Sequence, residues 1–301
     1  MTARLLFDRD VAALLTPELA VAGARKAIVD AYRGQLHAPP RLVADVGDGE
    51  LVFTAGGYPR GTRGVRVYQT QLHDSDQVVL VWNGEGLLEG CVVGIELGAR
   101  RTGALGAVAA DALARTDAAR VGVIGSGRQA WTQLWALTAL RALEDVRVYS
   151  PTAEHRDAFA ARARRELGVD ATAVGSAREA VGMADIVVLA TRATEPVIET
   201  AWLQEGVHVN TVGPKAISGH ETPVDLAERA AVVASDSPAQ ASAYDEPFFT
   251  ERELAHLGAV LSGDLPGRTS ERDITLYTST GLAGSELVVA ARLLEATSGP
   301  A

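Results

Sequence analysis

The most constraining feature of the sequence is a short apolar segment that ends in glycines and leads into a helix-forming segment. Residues 121–130 read Val-Gly-Val-Ile-Gly-Ser-Gly-Arg-Gln-Ala. This pattern is typical of the first strand, turn and helix of a dinucleotide-binding βαβ unit. We expect Gly125 to make the turn, Gly127 to let backbone amides approach a pyrophosphate, and Ala130 to allow close helix packing.

The segments that follow repeat the alternation of strand and helix. Residues 146–149, 184–190 and 208–213 have the apolar composition of buried strands, and residues 154–167 that of a helix. Such alternation predicts a parallel sheet. A strand-to-helix turn without a ligand is the alternative interpretation of the glycines, but this context favours nucleotide binding.

Composition limits the class of protein. The chain has 301 residues, 28 Lys plus Arg against 38 Asp plus Glu, and a net charge of −10. These numbers allow two domains and disfavour nonspecific binding to nucleic acid or to a membrane surface. Cys91 is the one cysteine, so no internal disulfide can form, and the charged start of the chain is not typical of a signal peptide. We therefore expect a cytoplasmic protein.

The first third of the chain predicts a different architecture from the glycine-rich part. Pro17 predicts a helix start within residues 10–37, and residues 42–54 and 64–70 predict strands. Asn83-Gly84 predicts the turn of a hairpin. The closing amphipathic helix, residues 286–295, is expected to return to this part of the protein.

The order of motifs resembles the ornithine cyclodeaminase/mu-crystallin family over nearly the whole chain. The resemblance rests on six segments, which are fairly specific in combination. They are Pro40-Arg41, Gly64-Val-Arg-Val-Tyr-Gln-Thr70, Leu97-Gly-Ala-Arg-Arg-Thr-Gly-Ala104, Gly125-Ser-Gly-Arg-Gln-Ala130, Val209-Asn-Thr-Val-Gly213 and Asp273-Ile-Thr-Leu-Tyr-Thr-Ser-Thr-Gly-Leu-Ala283.

The resemblance implies an α/β fold in which a Rossmann-type doubly wound parallel sheet is inserted in a second, α+β domain. Residues 116–281 would form the NAD(P)-binding domain. Residues 1–115 and 282–301 would bind substrate and form a homodimer. The implied activity is hydride transfer between a nicotinamide and the α-carbon of a small imino or amino acid. Within the family, the motifs most resemble those of the alanine dehydrogenase and ketimine reductase branch.

Three arginines are the predicted substrate-binding residues. Arginine offers a planar, permanently charged fork that binds a carboxylate in bidentate fashion. Arg41 and Arg101 match family arginines that hold the substrate carboxylate, and a surface role is the alternative for each, more so for Arg41. Arg66 stands where the family usually has lysine; arginine stays protonated, so Arg66 could bind a carboxylate but not act as a general base.

A second departure from the family follows Gly213. Many members carry an aspartate shortly after this glycine, facing the substrate amine, whereas this chain has Lys215. A lysine here would disfavour a cationic substrate such as ornithine. It could donate a proton to an imine or bind a second acidic group, and a solvated loop lysine is an equal alternative.

The predicted cofactor is NADP, with NAD as the alternative. The second nucleotide-domain strand ends in Tyr-Ser-Pro-Thr without the carboxylate that would bind a ribose 2′-hydroxyl. Ser150, Thr152 and Arg156 could instead contact a 2′-phosphate, and Arg128 could add a phosphate contact. The family positions that line the cofactor match these further residues: Thr102, Ser126, Gln129, Thr191, Ser279 and Gly281.

No histidine spacing indicates a metal site, and the acidic turn at residues 74–76 is interpreted as solvated. The leading hypothesis is thus an NAD(P)H-dependent imine reductase or amino-acid dehydrogenase. Two alternatives stay open. One is a redox-neutral amino-acid cyclodeaminase with bound NAD, and the other is a non-catalytic NADP-dependent ligand-binding protein of the mu-crystallin kind.

Overall fold

The computed structural model of the protein describes residues 3–71, 75–250 and 253–297. Its contacts divide the chain into two compact units, Met1–Arg101 with Gly281–Ala301, and Thr102–Thr280. The second unit is thus one continuous segment between the two segments of the first. The division falls at 101/102 and 280/281, whereas the sequence predicts 115/116 and 281/282.

The secondary-structure elements alternate along the second unit and are mostly strands in the first. The helices are α1 (Asp8–Leu14), α2 (Pro17–Tyr32), α3 (Glu96–Leu113), α4 (Arg128–Leu137), α5 (Ala153–Leu167), α6 (Ala177–Val181), α7 (Val224–Arg229), α8 (Pro238–Ser242), α9 (Leu257–Ser262) and α10 (Ser285–Ala296). The strands are β1 (Arg4–Phe7), β2 (Leu42–Asp45), β3 (Glu50–Gly57), β4 (Arg63–Gln69), β5 (Gln77–Trp82), β6 (Leu88–Gly94), β7 (Arg120–Ile124), β8 (Asp145–Tyr149), β9 (Ala171–Ala173), β10 (Ile186–Leu189), β11 (His208–Thr211), β12 (Lys215–Ala216), β13 (Gly219–His220), β14 (Val232–Ser235), β15 (Ala255–His256) and β16 (Thr275–Thr278).

The first unit contains a six-stranded sheet in the order β1-β6-β5-β4-β3-β2. Only its β1–β6 pair is parallel. The single strand predicted over residues 42–54 is wrong, because β2 and β3 form a hairpin. Gly47 turns the chain with a φ of +100°, and its N–H donates to Asp45 Oδ1 at 2.8 Å. The predicted hairpin at Asn83 and the helix start at Pro17 are confirmed.

One face of this sheet is covered by α10, and glycines make the close packing possible. A Cβ on Gly64 of β4 would lie 2.6 Å from Leu287, and a Cβ on Gly90 of β6 would lie 2.6 Å from Leu294. Side chains alternate along a strand, so Arg66 lies on the same covered face as Gly64. The packing therefore brings the first turn of α10 to the face that carries Arg66.

The second unit contains an eight-stranded parallel sheet in the order β15-β14-β16-β11-β10-β7-β8-β9. The predicted α/β fold with a Rossmann-type sheet is confirmed. The strand order changes direction at β7, because β8 and β9 are added on one side of β7 and β10 and β11 on the other. Ligands of such sheets bind outside the carboxyl ends of the strands at this switch point.

Close packing between α3 and α4 explains why the second unit begins at Thr102. A Cβ on Gly103 would lie 2.1 Å from the Thr132 carbonyl oxygen, and a Cβ on Gly106 would lie 1.9 Å from Gln133 Oε1. The greater part of α3 therefore packs directly on the helix that follows the glycine turn. Within the described residues, no helix is long and apolar enough to cross a membrane.

Candidate functional site

The glycine turn of the second unit has the geometry that its sequence predicts. Gly125 has a φ of +108°, and a Cβ there would lie 2.4 Å from the Ala190 carbonyl oxygen, so only glycine fits without strain. A Cβ on Gly127 would meet nothing within 4 Å, because Gly127 caps α4 beside open space. The backbone amides at the start of α4 are thus accessible to an anion such as a pyrophosphate.

A group of polar side chains lies at the ends of β7 and β8. Ser126 Oγ is 3.0 Å from Ser150 Oγ, and Ser150 Oγ donates to the Thr152 carbonyl oxygen at 3.3 Å. Arg156 Nη1 donates to the Ser150 carbonyl oxygen at 2.9 Å, and its guanidinium lies 5.8 Å from the centre of the Tyr149 ring. The structure therefore brings these four predicted residues together, with one positive charge and several hydroxyls.

Most of the remaining predicted residues of the second unit follow the carboxyl ends of its strands, with Thr191 after β10, Lys215 after β11 and Ser279 after β16. The Thr102 carbonyl accepts from Gln133 Nε2 at 3.1 Å, and the Ser279 amide donates to the Thr211 carbonyl at 3.0 Å. Arg128 and Gln129 begin α4. The ammonium of Lys215 donates to the carbonyl oxygens of Val212 and Gly213, at 3.2 and 2.6 Å.

The first unit brings the three predicted arginines together around one buried carboxylate. Arg66 Nη1 lies 2.8 Å from Glu286 Oε1, and Arg101 Nη2 contacts the same oxygen. Arg41 Nη1 donates to the Tyr68 hydroxyl at 3.4 Å, and the Arg66 guanidinium stacks 4.2 Å from the centre of that ring. We refer to Arg41, Arg66, Arg101 and Glu286 as the arginine cluster.

The left-handed turn at Gly281 closes the arginine cluster. Gly281 has a φ of +80°. A Cβ built there would lie 3.2 Å from Arg41 Nη2 and 3.6 Å from Arg101 Nη1, so two guanidinium groups approach the same small space. Gly281 therefore lies with the arginine cluster in the first unit, and its expected cofactor contact stays a prediction.

Arg66 and Arg101 carry two positive charges against the single negative charge of Glu286, which leaves an excess of positive charge in the cluster. Burial raises the pKa of Glu286, but Arg101 and Arg66 outweigh burial, so this pKa is lowered and the carboxylate is ionised. Burial lowers the pKa of Arg66, and the neighbouring Arg101 and Arg41 add to this effect. Arg101 is 4% exposed and its Nε has no hydrogen-bond partner within the described part of the protein. An anion would satisfy this electrostatic excess.

Comparison with known proteins assigns the chain to a family. The sequence model of the ornithine cyclodeaminase/mu-crystallin family matches residues 10–299. The chain belongs to this family. The family membership that the sequence motifs predict is thus confirmed.

Two curated proteins that are similar to this chain are named as a reductase and a dehydrogenase. The Δ1-pyrroline-2-carboxylate reductase of Bacillus cereus is 40% identical over 146 residues, 48% of this chain and 44% of that protein. The alanine dehydrogenase of Archaeoglobus fulgidus is 33% identical over 136 residues, 45% of this chain and 41% of that protein. The chain therefore matches less than half of the length of either relative.

Solved structures extend the similarity to nearly the full chain. A Δ1-pyrroline-2-carboxylate reductase of Thermococcus litoralis in complex with NADH and L-proline has a TM-score of 0.89 at 28% identity, covering 98% of this chain and 97% of that one. An archaeal alanine dehydrogenase dimer with bound NAD has a TM-score of 0.88 at 25% identity, covering 99% and 96%. The similarity of fold over nearly the whole chain thus agrees with the family that the sequence comparison assigns.

Sequence reasoning missed the carboxylate at the centre of the arginine cluster. Glu286 is 2% exposed and lies in the first turn of α10, in the apolar context Ser-Glu-Leu-Val-Val. A charged residue next to a continuous apolar segment is the available signal, since buried charges are rarely unpaired. Gln77 was missed too, and its Oε1 accepts from Arg66 Nε at 3.0 Å. Asp74 of the acidic turn lies outside the described residues, and nowhere among those described do three or more potential metal ligands cluster.

Proposed function

We propose that this protein is an NAD(P)H-dependent oxidoreductase that transfers hydride to or from the α-carbon of a small imino or amino acid. The observation that carries the proposal is the arginine cluster, in which Arg66 and Arg101 pair with one buried carboxylate and Arg41 binds the Tyr68 hydroxyl beside them. Arg66 and Arg101 share one carboxylate, so positive charge is left in excess and calls for an anionic ligand. Arginine pairs with a carboxylate in a bidentate geometry. The names of the relatives support the same class of reaction.

The roles of the residues follow from their chemistry. Arg41, Arg66 and Arg101 bind and orient the substrate carboxylate, which fixes the adjacent α-carbon. Glu286 holds Arg66 and Arg101 in place by ion pairs that are shielded from water. The nicotinamide, when bound, supplies or accepts the hydride. A water molecule or Lys215 supplies the proton that converts the imine nitrogen to an amine, because the arginines stay protonated.

We propose NADP as the preferred cofactor. Ser150, Thr152 and Arg156 lie together at the end of β8, where the sequence provides no carboxylate for a ribose 2′-hydroxyl. Arg156 is already oriented by two backbone carbonyls and offers its charge to a 2′-phosphate. We expect Arg156→Ala to weaken NADPH binding while leaving NADH binding nearly unchanged, as measured by titration with each dinucleotide.

We propose further that the protein is a homodimer formed through the uncovered face of the six-stranded sheet. Strand alternation places apolar side chains from β1 to β6 on the face opposite α10, and Leu5 and Phe7 there are 56% and 43% exposed. Apolar residues of this face include Leu5, Phe7, Phe53, Val65, Val67, Val78, Leu80, Cys91 and Val93.

The oligomeric state tests this assignment directly. We expect Val67→Glu to convert a dimer to a monomer in analytical ultracentrifugation, because a charge would be buried in the apolar contact. Leu265→Glu is the matched control, since Leu265 is an exposed apolar residue of the other unit. A wild-type monomer, or a Val67→Glu dimer, would contradict the proposal.

The catalytic proposal is tested by the loss of absorbance of reduced nicotinamide. NADPH and NADH are each incubated with pyrroline-2-carboxylate, piperideine-2-carboxylate, or pyruvate with ammonia or methylamine. Oxidation that requires one of these imines supports the reductase assignment. Ammonia release from ornithine without net cofactor oxidation would support the cyclodeaminase alternative, and dinucleotide binding without any turnover would support a ligand-binding protein.

A further inference from the structure

A buried carboxylate in the second unit has five hydrogen bonds and no part in the chemistry described above. Glu221 follows β13 and is fully buried. Its Oε2 accepts from the amide and the hydroxyl of Thr191, both at 2.8 Å. Its Oε1 accepts from Thr211 Oγ1 at 2.8 Å, the Val212 amide at 3.1 Å and the Gly213 amide at 2.6 Å.

The five donors are neutral and come from two separate segments, the loop after β10 and the end of β11 with the loop that follows it. Thr191 lies two residues after the end of β10, whereas Val212 and Gly213 follow β11 directly. A Cβ on Gly213 would lie 2.5 Å from the Glu221 carboxyl carbon, so the carboxylate also dictates glycine at this position. Because directed hydrogen bonds fix the geometry of donors, Glu221 sets the positions of both loops relative to each other.

The loops that follow β10 and β11 lie on the side of β7 opposite β8. The glycine turn after β7 is the pyrophosphate site of a Rossmann sheet, and the end of β8 faces the adenosine ribose. The strands on the opposite side of β7 are β10 and then β11. The half of a dinucleotide that extends past the pyrophosphate therefore reaches the ends of β10 and β11, which Glu221 joins.

We propose that Glu221 is a positioning residue for the nicotinamide half of the cofactor. The inference rests on the proposed function and extends it to a residue that does not touch the reacting atoms. The Thr191 hydroxyl donates to Glu221 and accepts from the Ala193 amide at 3.1 Å, so Thr191 shapes this site chiefly through its loop. The Val212 and Gly213 carbonyls also hold Lys215, which makes the position of its ammonium depend on Glu221.

Binding of ligands with and without nicotinamide tests this role. In Glu221→Gln the carboxamide NH₂ faces hydrogen-bond donors, so the loops must move apart. We expect the Kd of NADPH to rise about tenfold or more in this variant, and the Kd of 2′-phospho-ADP-ribose, which lacks nicotinamide, to change less than about twofold. NADH and ADP-ribose form the second pair, so the test does not depend on which cofactor is preferred.

The matched control is a buried carboxylate at the other end of the same strand. Asp185 directly precedes β10, is 3% exposed and pairs with Arg115 and Arg120 at 2.7 Å each. We expect Asp185→Asn to lower Tm and to change the Kd of NADPH and the Kd of 2′-phospho-ADP-ribose to the same extent. Thr211→Val removes one donor to Glu221 with little change of shape. We expect this variant to raise the Kd of NADPH about threefold and to leave the Kd of 2′-phospho-ADP-ribose unchanged. This variant also serves if Glu221→Gln does not fold.

Each outcome has a distinct meaning. A selective loss of dinucleotide binding in Glu221→Gln or Thr211→Val supports the positioning role. Equal weakening of both ligands, or no weakening in stable protein, overturns it and leaves Glu221 as a purely structural residue. A wild-type protein that binds neither ligand overturns the proposed function as well, and the wild-type titration alone identifies that case.

Discussion

The two units offer different kinds of groups to an anionic ligand. The first unit uses permanently charged side chains, with three arginines assembled from β4, α3 and the loop before β2 around Glu286. The second unit relies on backbone shape, with glycines at the end of β7 and neutral donors around Glu221. A charged cluster selects a ligand by charge, whereas a backbone turn selects it by fit. Loss of a charged side chain should therefore weaken ligand binding most in the first unit, whereas replacement of a glycine should weaken it in the turn after β7.

The largest effect is expected at Arg101. We expect Arg101→Ala to lower kcat/KM by about 100-fold or more, because the substrate carboxylate loses a buried partner and Glu286 keeps only Arg66. The affinity for NADPH should stay within about twofold of the wild type, since Arg101 belongs to the other unit. Steady-state kinetics and dinucleotide titration measure the two quantities.

The adjacent Arg100 provides the control for this substitution. Its guanidinium donates to Glu96 Oε2 and to the Leu15 carbonyl oxygen, away from Glu286. We expect Arg100→Ala to leave kcat/KM within about threefold of the wild type. Equal losses in the two variants, or a kcat/KM of Arg101→Ala within about threefold of the wild type, would show that the arginine cluster does not bind the substrate.

Two glycine substitutions test whether shape governs the second unit. Gly125→Ala should lower the free energy of unfolding by about 2 kcal/mol or more, because its Cβ meets the Ala190 carbonyl at a positive φ. Gly127→Ala should leave Tm nearly unchanged, since its Cβ enters open space, yet raise the Kd of NADPH about tenfold. Thermal denaturation and ligand titration separate the two effects. Normal NADPH binding by Gly127→Ala would place the pyrophosphate elsewhere.

A smaller effect is expected from His208 in the core of the second unit. Burial lowers the pKa of His208 to about 3, although a hydrogen bond to Asn210 opposes the shift. Below the unfolded-state pKa of about 6.5, the unfolded chain binds a proton that the folded protein does not. Stability is therefore fully present above about pH 6.5 and falls as the pH drops toward 3.

Urea denaturation at two pH values measures this contribution. We expect the free energy of unfolding to fall by about 1 kcal/mol between pH 7 and pH 5.5 because of His208 alone. His208→Gln, which cannot titrate, should reduce this fall while lowering stability at pH 7. An identical pH dependence in the variant would mean that other groups cause the loss.

The sequence predicted the second unit better than the first for a physical reason. The turn at Gly125 and the end of β8 depend on neighbouring residues, so a short motif contains the necessary information. Glu286 meets Arg66 only because α10 packs on β4, and the two residues are 220 positions apart. The hairpin at Gly47 was missed because its flanking segments both have strand composition.

The fate of the transferred hydride tests the central claim most directly. The protein is incubated with pyrroline-2-carboxylate and with NADPH or NADH that carries deuterium at both hydrogen positions of nicotinamide C4, and the product is analysed by mass spectrometry and NMR. We predict proline that carries one deuterium at its α-carbon, formed in proportion to the oxidised cofactor, and formation of this product at a rate lower by about 100-fold or more with Arg101→Ala. Proline without deuterium, or cofactor that stays reduced with this imine and with the other imino acids, would contradict the account.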